Sequence, residues 1–398
     1  MKKYASIISA GLLLVLASCS EKVKISPEQE DSFVKYYGNL YEDYGRDVKE
    51  VPGKGYAVVG TTTTGDGTQK ADKDILFLLV DKSGNLRRDP ITFGSKLDDE
   101  GNSLALTSDR GFVIAGTCTD TLSLETDVIV IRLDQDGNTL WTKVIAMAGN
   151  QNGNSVIISS QGKILVGGVT NNGPLLLTLE DAENGSVNEA EKSGTAGYLN
   201  SISDIQEFQG GTWLYGQVSN DTINTAWVMV AFSTESTSLE SISPPEKGNY
   251  QKAFGSCILE PDTILLCGVA KGSDGKNKAL IKKLYDDGTS QISIKLEKKI
   301  GEPNEIVEGK SVRMLNDGRI ALLATRTKAE NSDVVIYLCD RDGKVLENGT
   351  IILGDNSVQE AGAFEITSDG GFIITGSNLL DNNSMVSLIK LNAKGELQ

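Results

Sequence analysis

Short apolar runs, each bounded by polar turn residues, recur along most of the chain. The stretch Ser368–Gly376 shows the unit: a polar Ser-Asp-Gly-Gly turn, the apolar run Phe372–Thr375, and a glycine at which the strand is expected to stop. The run recurs at Tyr56–Gly60, Phe112–Gly116, Ile164–Gly167, Trp213–Gly216, Ile264–Gly268, Ile320–Ala324 and Phe372–Gly376, about every fifty residues. Runs this short, punctuated by Gly, Asp and Asn, read as strands, and no helical period accompanies them. A strand-only repeat of this length predicts a propeller with about four strands per blade.

The order inside each copy is constant. A first strand follows a Gly-x-Ser-like start, as in Gly101–Leu106, and a tight turn such as Asp109–Gly111 or Asn316–Gly318 leads into the glycine-ended second strand. A longer polar loop leads to a continuously apolar third strand, such as Asp127–Leu133, and a turn leads to a fourth, such as Leu140–Ile145. Continuous apolar runs mark strands covered on both faces, as stacked blades require. The last copy stops after its third strand, Met385–Leu391, and its turn. The segment Ser32–Gly38 has no preceding repeat to belong to, and it ends in glycine as the other fourth strands do, at Gly94, Gly149, Gly194, Gly248, Gly301 and Gly354. The expected fold is therefore all-β: a seven-bladed β-propeller of four-stranded blades, closed by the N-terminal strand completing the last blade. Its blades would run 39–94, 95–149, 150–194, 195–248, 249–301, 302–354 and 355–398 plus 32–38, one domain over 32–398. Closure leaves only short, protected sheet edges.

The first residues follow other rules. Met1-Lys2-Lys3, the apolar run Ile7–Leu16 and the small residues before Cys19 make residues 1–18 a secretory signal peptide, too short to remain as a membrane span. Leu16-Ala17-Ser18-Cys19 resembles the lipobox of bacterial lipoproteins. That resemblance implies a lipid on Cys19 as the first mature residue, with the polar residues 19–31 as tether. Multiple acyl chains hold a protein on a membrane where a single chain is marginal.

Composition removes several functions. The formal net charge of −16 opposes binding to nucleic acid backbones. The chain has no histidine, which excludes Ser-His-Asp and Cys-His catalysis, His-ligated zinc or copper, and histidine pH switching. No cofactor is expected. Cys118, Cys257, Cys267 and Cys339 do not have the spacing of a disulfide framework or zinc site. Cys257 and Cys267 flank a turn and could bridge it, but read better as small buried hydrophobes.

Candidate chemistry is sparse. The second-to-third-strand connections are the long ones, at 61–73, 117–125, 217–225, 269–278 and 325–332, so a binding face is expected there. Acids in the blade-to-blade segments, Asp43, Asp99, Glu100, Glu308 and Glu360, are candidates for an acidic rim around the channel mouth, with a solvated rim as the plainer reading. The turns Asp81–Asn85, Asp134–Asn138 and Asp340–Lys344 faintly resemble calcium loops but lack the full ligand spacing, and hairpin turns need Asp and Gly in any case. Ser103, Ser155, Ser201, Ser256 and Ser311 occupy what looks like one matched position, explained by crowding at the axis. Trp141 and Trp213 fall on strands as inter-blade core, while Trp227 begins a third strand.

The Asp-Gly-Gly-Phe-x-Ile-x-Gly type of repeat behind a lipobox resembles the repeat-propeller lipoproteins of Bacteroidetes-type outer membranes. The resemblance implies a lipid-anchored protein of the bacterial cell envelope, at the outer membrane. The expected function is a non-catalytic binding scaffold for an envelope protein partner or an extracellular glycan. The alternatives are a carboxylate-based carbohydrate-active enzyme, a hydrolase or lyase, and a structural subunit of an envelope complex.

Overall fold

The computed structural model describes residues 32–397, apart from 40, 66–71, 172, 181–189, 194–200, 209–210, 221–222, 233–239, 242–250, 261, 287–291, 355–356 and 382; the side chains of 190–201, 208–250, 286 and 292 also lie outside the description. Its regular structure is all strand. β1 (Phe33–Tyr37) precedes β2 (Asp43–Val51), β3 (Gly55–Thr64), β4 (Asp72–Val80) and β5 (Ile91–Phe93). Next come β6 (Glu100–Leu106), β7 (Phe112–Thr119), β8 (Thr126–Leu133) and β9 (Thr139–Ile145), then β10 (Gln151–Ile158), β11 (Lys163–Thr170), β12 (Gly173–Glu180) and β13 (Ala190–Ser193). The chain continues through β14 (Ser201–Phe208), β15 (Gly211–Asn220), β16 (Ile223–Phe232), β17 (Glu240–Ser241), β18 (Gln251–Glu260), β19 (Thr263–Lys271), β20 (Asn277–Asp286) and β21 (Ile292–Ile300). It ends with β22 (Ile306–Met314), β23 (Ile320–Lys328), β24 (Asn331–Cys339), β25 (Val345–Leu353), β26 (Gln359–Ile366), β27 (Phe372–Leu380) and β28 (Asn383–Leu391).

Six sheets are antiparallel meanders of four consecutive strands, from β2-β3-β4-β5 to β22-β23-β24-β25. A seventh has the order β26-β27-β28-β1. Each sheet packs on the next through its first strand, and the last packs on β2, so the first strands surround a common axis. This is an all-β propeller with four-stranded blades. β1 pairs antiparallel with β28, from Phe33 opposite Lys390 to Tyr37 opposite Val386. Phe33 is buried against Tyr56 of the neighbouring sheet, and the Tyr37 hydroxyl donates to the Gly84 carbonyl at 2.5 Å.

Strand position dictates burial. Second and third strands such as β3 and β8 are buried almost throughout, while the outer β9 alternates exposed and covered residues. The apolar core lies between sheets: Phe77 meets Phe112 edge-on at 5.1 Å, within a cluster that includes Ile75, Ile114 and Ile131. Burying one such side chain is worth roughly 1.5–3 kcal/mol. Trp141 is partly buried against the cluster joining the second and third sheets, whereas Trp213 and Trp227 lie outside the described side chains.

Two expectations change here. The repeated glycine does not end its strand: β27 runs four residues beyond Gly376, and β3 four beyond Gly60. It sits where the first strand of the same sheet bulges. Gly60 faces Gly45 before a break in register at Gly45/Asp47, and the same break occurs at Gly101/Ser103, Gly153/Ser155, Ile202/Asp204, Ala253/Gly255 and Gly309/Ser311. The residue facing the third bulge is Gly168, not Gly167. A Cβ on Gly60, Gly168 or Gly268 would stand 1.8–1.9 Å from a carbonyl oxygen of the bulging strand. Glycine inside a strand commonly marks such a close backbone approach. Gly268→Ala is therefore expected to cost about 1–3 kcal/mol, whereas Ala324→Gly, at the copy that already carries a Cβ, should cost about 1 kcal/mol or less. Denaturant midpoints of the two variants check this; equal midpoints would show that the bulge tolerates a methyl group.

The connections between second and third strands are also shorter than expected, because the strands extend into them. β23 reaches Lys328 and β24 resumes at Asn331, and β19 and β20 are separated only by residues 272–276. Thr and polar residues there pair across the ladder, as Thr64 does with Asp72.

Candidate functional site

The first strands build the site. At the bulges two consecutive residues of the first strands line the axial cavity, and on β2, β6 and β14 the second of these accepts an amide from the next blade. Asp47 accepts from the Leu104 amide at 2.9 Å, Ser103 Oγ from the Val156 amide at 3.2 Å, and Asp204 from the Ser256 amide at 2.9 Å. In each case the donor lies on the next sheet, one residue past its own bulge position. Asp204 also accepts from Ser256 Oγ at 2.6 Å, Ser155 Oγ at 3.0 Å and its neighbour Ile205 N at 2.9 Å, tying three sheets together.

The serine series is corrected accordingly. Ser103, Ser155 and Ser311 share the post-bulge position, but its occupants on β2 and β14 are Asp47 and Asp204. Ser256 lies one residue further, opposite Leu266, and Ser201 precedes its bulge, opposite Gln217.

Two of the acids expected on a rim are not on one. Asp43 opens β2 and Asp99 immediately precedes β6, and each is 1% exposed. Asp43 accepts from the Asn39 amide at 2.9 Å; Asp99 accepts from Ser95 N at 2.5 Å and Thr119 N at 3.0 Å. Burial raises the pKa of both, opposed by these hydrogen bonds. Gln151 takes the equivalent place in its sheet, with its Nε2 donating to the carbonyls of Met147, Ala148 and Gly149. Gln251 and Gln359 stand at the same point of theirs. At Asp43, Asp99 and Gln151 the position staples the blade-to-blade loop through hydrogen bonds rather than presenting a charge, while on β22 the buried Val307 takes the same place.

The other three acids are each met by a cation. Glu100 pairs with Lys73 at 2.7 Å, and Lys310 pairs with Glu308 at 3.2 Å and Glu360 at 3.6 Å. Cys19 lies outside the described residues.

Inside the ring is a cavity of about 360 Å³. Four cations line it, Arg46, Lys49, Lys310 and Arg313, against two carboxylates, Asp47 and Asp204. Lys49 pairs with Asp47 at 3.0 Å and Glu365 at 3.6 Å. Arg313 donates to the Val312 carbonyl at 2.8 Å and lies over the Phe364 ring. Nothing in the sequence reading singled out these cations. The signal was available, since Arg46 and Lys49 flank one post-bulge position and Lys310 and Arg313 another, but the net charge of −16 concealed it.

The calcium-like loops are hairpin turns. One oxygen of Asp134 accepts from the amides of Asp136 at 2.9 Å and Asn138 at 2.8 Å, and Asp340 does the same for Asp342 and Lys344. Gly137 and Gly343 take φ of 84° and 70° in these turns, conformations open to glycine. The four cysteines after Cys19 are free; Cys257 faces Leu265 and Cys267 faces Gly255. Burial pushes the Cys257 thiol up to about 11 and Cys118 to about 12, so both stay protonated and unreactive near neutral pH.

No protein-family description and no curated protein matches this chain. Solved propellers do. YCF48 bound to D1 peptide superposes with a TM-score of 0.53 at 9% identity, covering 90% of this chain and 94% of that one. The β-propeller domain of the Trilobed protease from Pyrococcus furiosus, which has an open velcro topology, gives 0.52 at 15% identity over 92% and 98%. Drosophila Plexin A in complex with Semaphorin 1b gives 0.51 at 7% identity over 91% and 88%. At these identities the likeness shows the shared fold alone, an all-β propeller of four-stranded blades.

Proposed function

We propose that the chain is a lipid-anchored binding scaffold of the bacterial envelope, a seven-bladed ring that presents a rigid face to a protein partner. The observation that carries this reading is the use made of the two cavity carboxylates. Asp47 and Asp204 each accept backbone amides from their own and the next blade, so they hold the ring together. A glycosidase-type mechanism needs one carboxyl free to give a proton and another free to attack or activate water; in Asp47 and Asp204 those lone pairs are engaged. YCF48 with its D1 peptide and Plexin A with Semaphorin 1b are propellers that hold peptide or protein partners, which is consistent with a scaffold. A glycan ligand is the second reading, carried by the polar lining of the cavity.

The full chain, expressed with residues 1–31, should sediment with membranes and carry a stoichiometric protein partner through crosslinking and purification. Cys19→Ala should move it to the soluble fraction. A Cys19→Ala protein that remains with membranes would overturn the anchor, and recovery of the wild type without a stoichiometric protein would overturn the partner.

A further inference from the structure

We propose that the axial cavity binds a small oxyanion, a carboxylate, sulfate or phosphate group carried on a molecule that fits about 360 Å³. The inference concerns a site separate from any partner face and does not depend on the scaffold reading. Its first support is charge. The protein as a whole carries −16, yet the lining of this open cavity holds four cations and two carboxylates. Lys49 is paired with Asp47 and Glu365 and Lys310 with Glu308 and Glu360, which leaves Arg46 and Arg313 as the cations without an ion pair among the described residues. Electrostatic focusing in a low-dielectric cleft makes such a local reversal effective in drawing in anions.

The second support is the state of the cations. Among the described residues, neither Arg46 nor Arg313 has a carboxylate within ion-pair distance; Arg46 lies against the Tyr44 ring at 5.8 Å, and Arg313 against Phe364 at 5.7 Å. Of the two carboxylates that share the cavity, Asp47 is bound to Lys49 and to the amides of Leu104 and Val48, and Asp204 accepts the amides of Ser256 and Ile205. Arg313 is near enough to act on Asp204 through its charge without forming an ion pair with it. A guanidinium offers five donors in a planar fork suited to carboxylate, sulfate and phosphate. Arg313 uses one nitrogen of its fork, Nη1, to donate to the Val312 carbonyl and Ser311 Oγ, at 2.8 and 3.3 Å.

The third support is space. Lys310 and Arg313 stand on the same first strand, and the flanking first strands contribute Gly255 on one side and Gly362 and Ala363 on the other at the axis-facing positions. The space beside the two cations is thereby left unfilled. Phe254 closes one wall and carries the Lys310 ammonium 5.3 Å from its ring centre.

The test titrates the full chain with sodium sulfate, inorganic phosphate, glucuronate and uncharged glucose at constant ionic strength, read by calorimetry and thermal unfolding. At least one of the three anions should bind saturably and raise the unfolding temperature, while glucose should not. The arm that saturates distinguishes a free inorganic anion from a sugar acid. Arg313→Met and Arg46→Gln should each weaken that binding by about tenfold or more, the loss expected for one charge-assisted hydrogen bond. Arg46 is exposed and makes no buried hydrogen bond in the described structure, so its variant should fold normally. Ala363→Leu, which narrows the cavity beside Arg313 without changing charge, should also weaken binding. Absence of saturable binding by all three anions, or binding unchanged in Arg46→Gln and Ala363→Leu, would overturn the proposal.

Discussion

A chain that lacks residues 32–38 is expected to lose the single cooperative unfolding transition of the ring and to expose apolar surface. The deletion removes the whole outer strand of the β26–β28 sheet and leaves the ladder groups of β28 from Val386 to Lys390 without partners. It also removes Phe33, which is 6% exposed and packs on Tyr56, and the Tyr37 bond to Gly84 that fastens β1 to the neighbouring sheet. Losing a buried phenylalanine alone costs about 3–5 kcal/mol, against a total stability of about 5–15 kcal/mol for a typical domain. The unpaired edge of β28 is in addition a template for association between molecules. Calorimetry and light scattering of the truncated protein measure both effects, and Phe33→Ala should reproduce the packing part. A peptide of residues 32–38 added in trans should restore part of the transition by strand addition. A truncated protein with the wild-type unfolding temperature would mean that β1 is dispensable for closure.

That closing strand was legible because it follows from counting. Apolar runs and Asp-Gly turns mark three strands in the last copy, and the orphan segment at 32–38 has the length and terminal glycine of the missing one. Turn chemistry was equally direct: in Thr367–Gly371 the Asp369 carboxylate accepts the Gly371 amide at 2.9 Å, and Gly370 takes a φ of 81°. A feature hidden behind that turn is the cation that holds it. Lys390, 2% exposed on β28, reaches back to Asp369 at 2.8 Å, as Arg132 reaches Asp109 at 2.7 Å in the second sheet. Burial raises the Asp369 pKa, but the bonds from Lys390, Thr367 and Gly371 outweigh it and bring it below the usual carboxylate range.

The axis was far less legible, and the reason is the bulge. Each bulge inserts a residue into one strand, so matching serines by eye places Ser201 and Ser256 out of register with Ser103, Ser155 and Ser311. It also hides that aspartate does the same work as serine on β2 and β14, because acceptance of an amide proton needs an oxygen rather than a particular residue. The misplacement of Asp43 and Asp99 on a rim has the same root. A carboxylate read in isolation suggests a charge; its alternation with Gln151, Gln251 and Gln359 at one repeat position points to a hydrogen-bonding staple. Glycine misled in the opposite direction. A glycine after an apolar run suggests the end of a strand, whereas Gly268 marks the approach of the Lys252 carbonyl in the middle of one.

Asp204→Ala is the side-chain substitution expected to cost most at the axis. The carboxylate is the common acceptor for Ser155 on β10, Ile205 on β14 and Ser256 on β18, so its removal cuts the ties among three sheets. The amides of Ser256 and Ile205 would be left without their acceptor, at about 1–3 kcal/mol for each buried donor, and the lost charge-assisted bonds bring the expected total to about 3–5 kcal/mol. Asp204→Asn keeps one acceptor oxygen and should fall between alanine and wild type. The pH dependence gives a further signature. Burial raises the Asp204 pKa, against the lowering effect of Ser256, Ser155 and the nearby Arg313. The folded state therefore holds the proton more tightly than the unfolded chain does. That contribution is fully present below the unfolded carboxylate pKa of about 4, and it is lost as pH rises through the higher folded value. The stability gap between wild type and Asp204→Ala should accordingly widen as pH is lowered from 7 toward 4, while contributions from all other carboxylates cancel in the difference. Denaturant unfolding of the two proteins across that range measures the gap. A variant within about 0.5 kcal/mol of wild type would show that the axis is held by apolar packing alone, and a gap that narrows toward acid would show that the hydrogen bonds outweigh burial in setting the charge of Asp204.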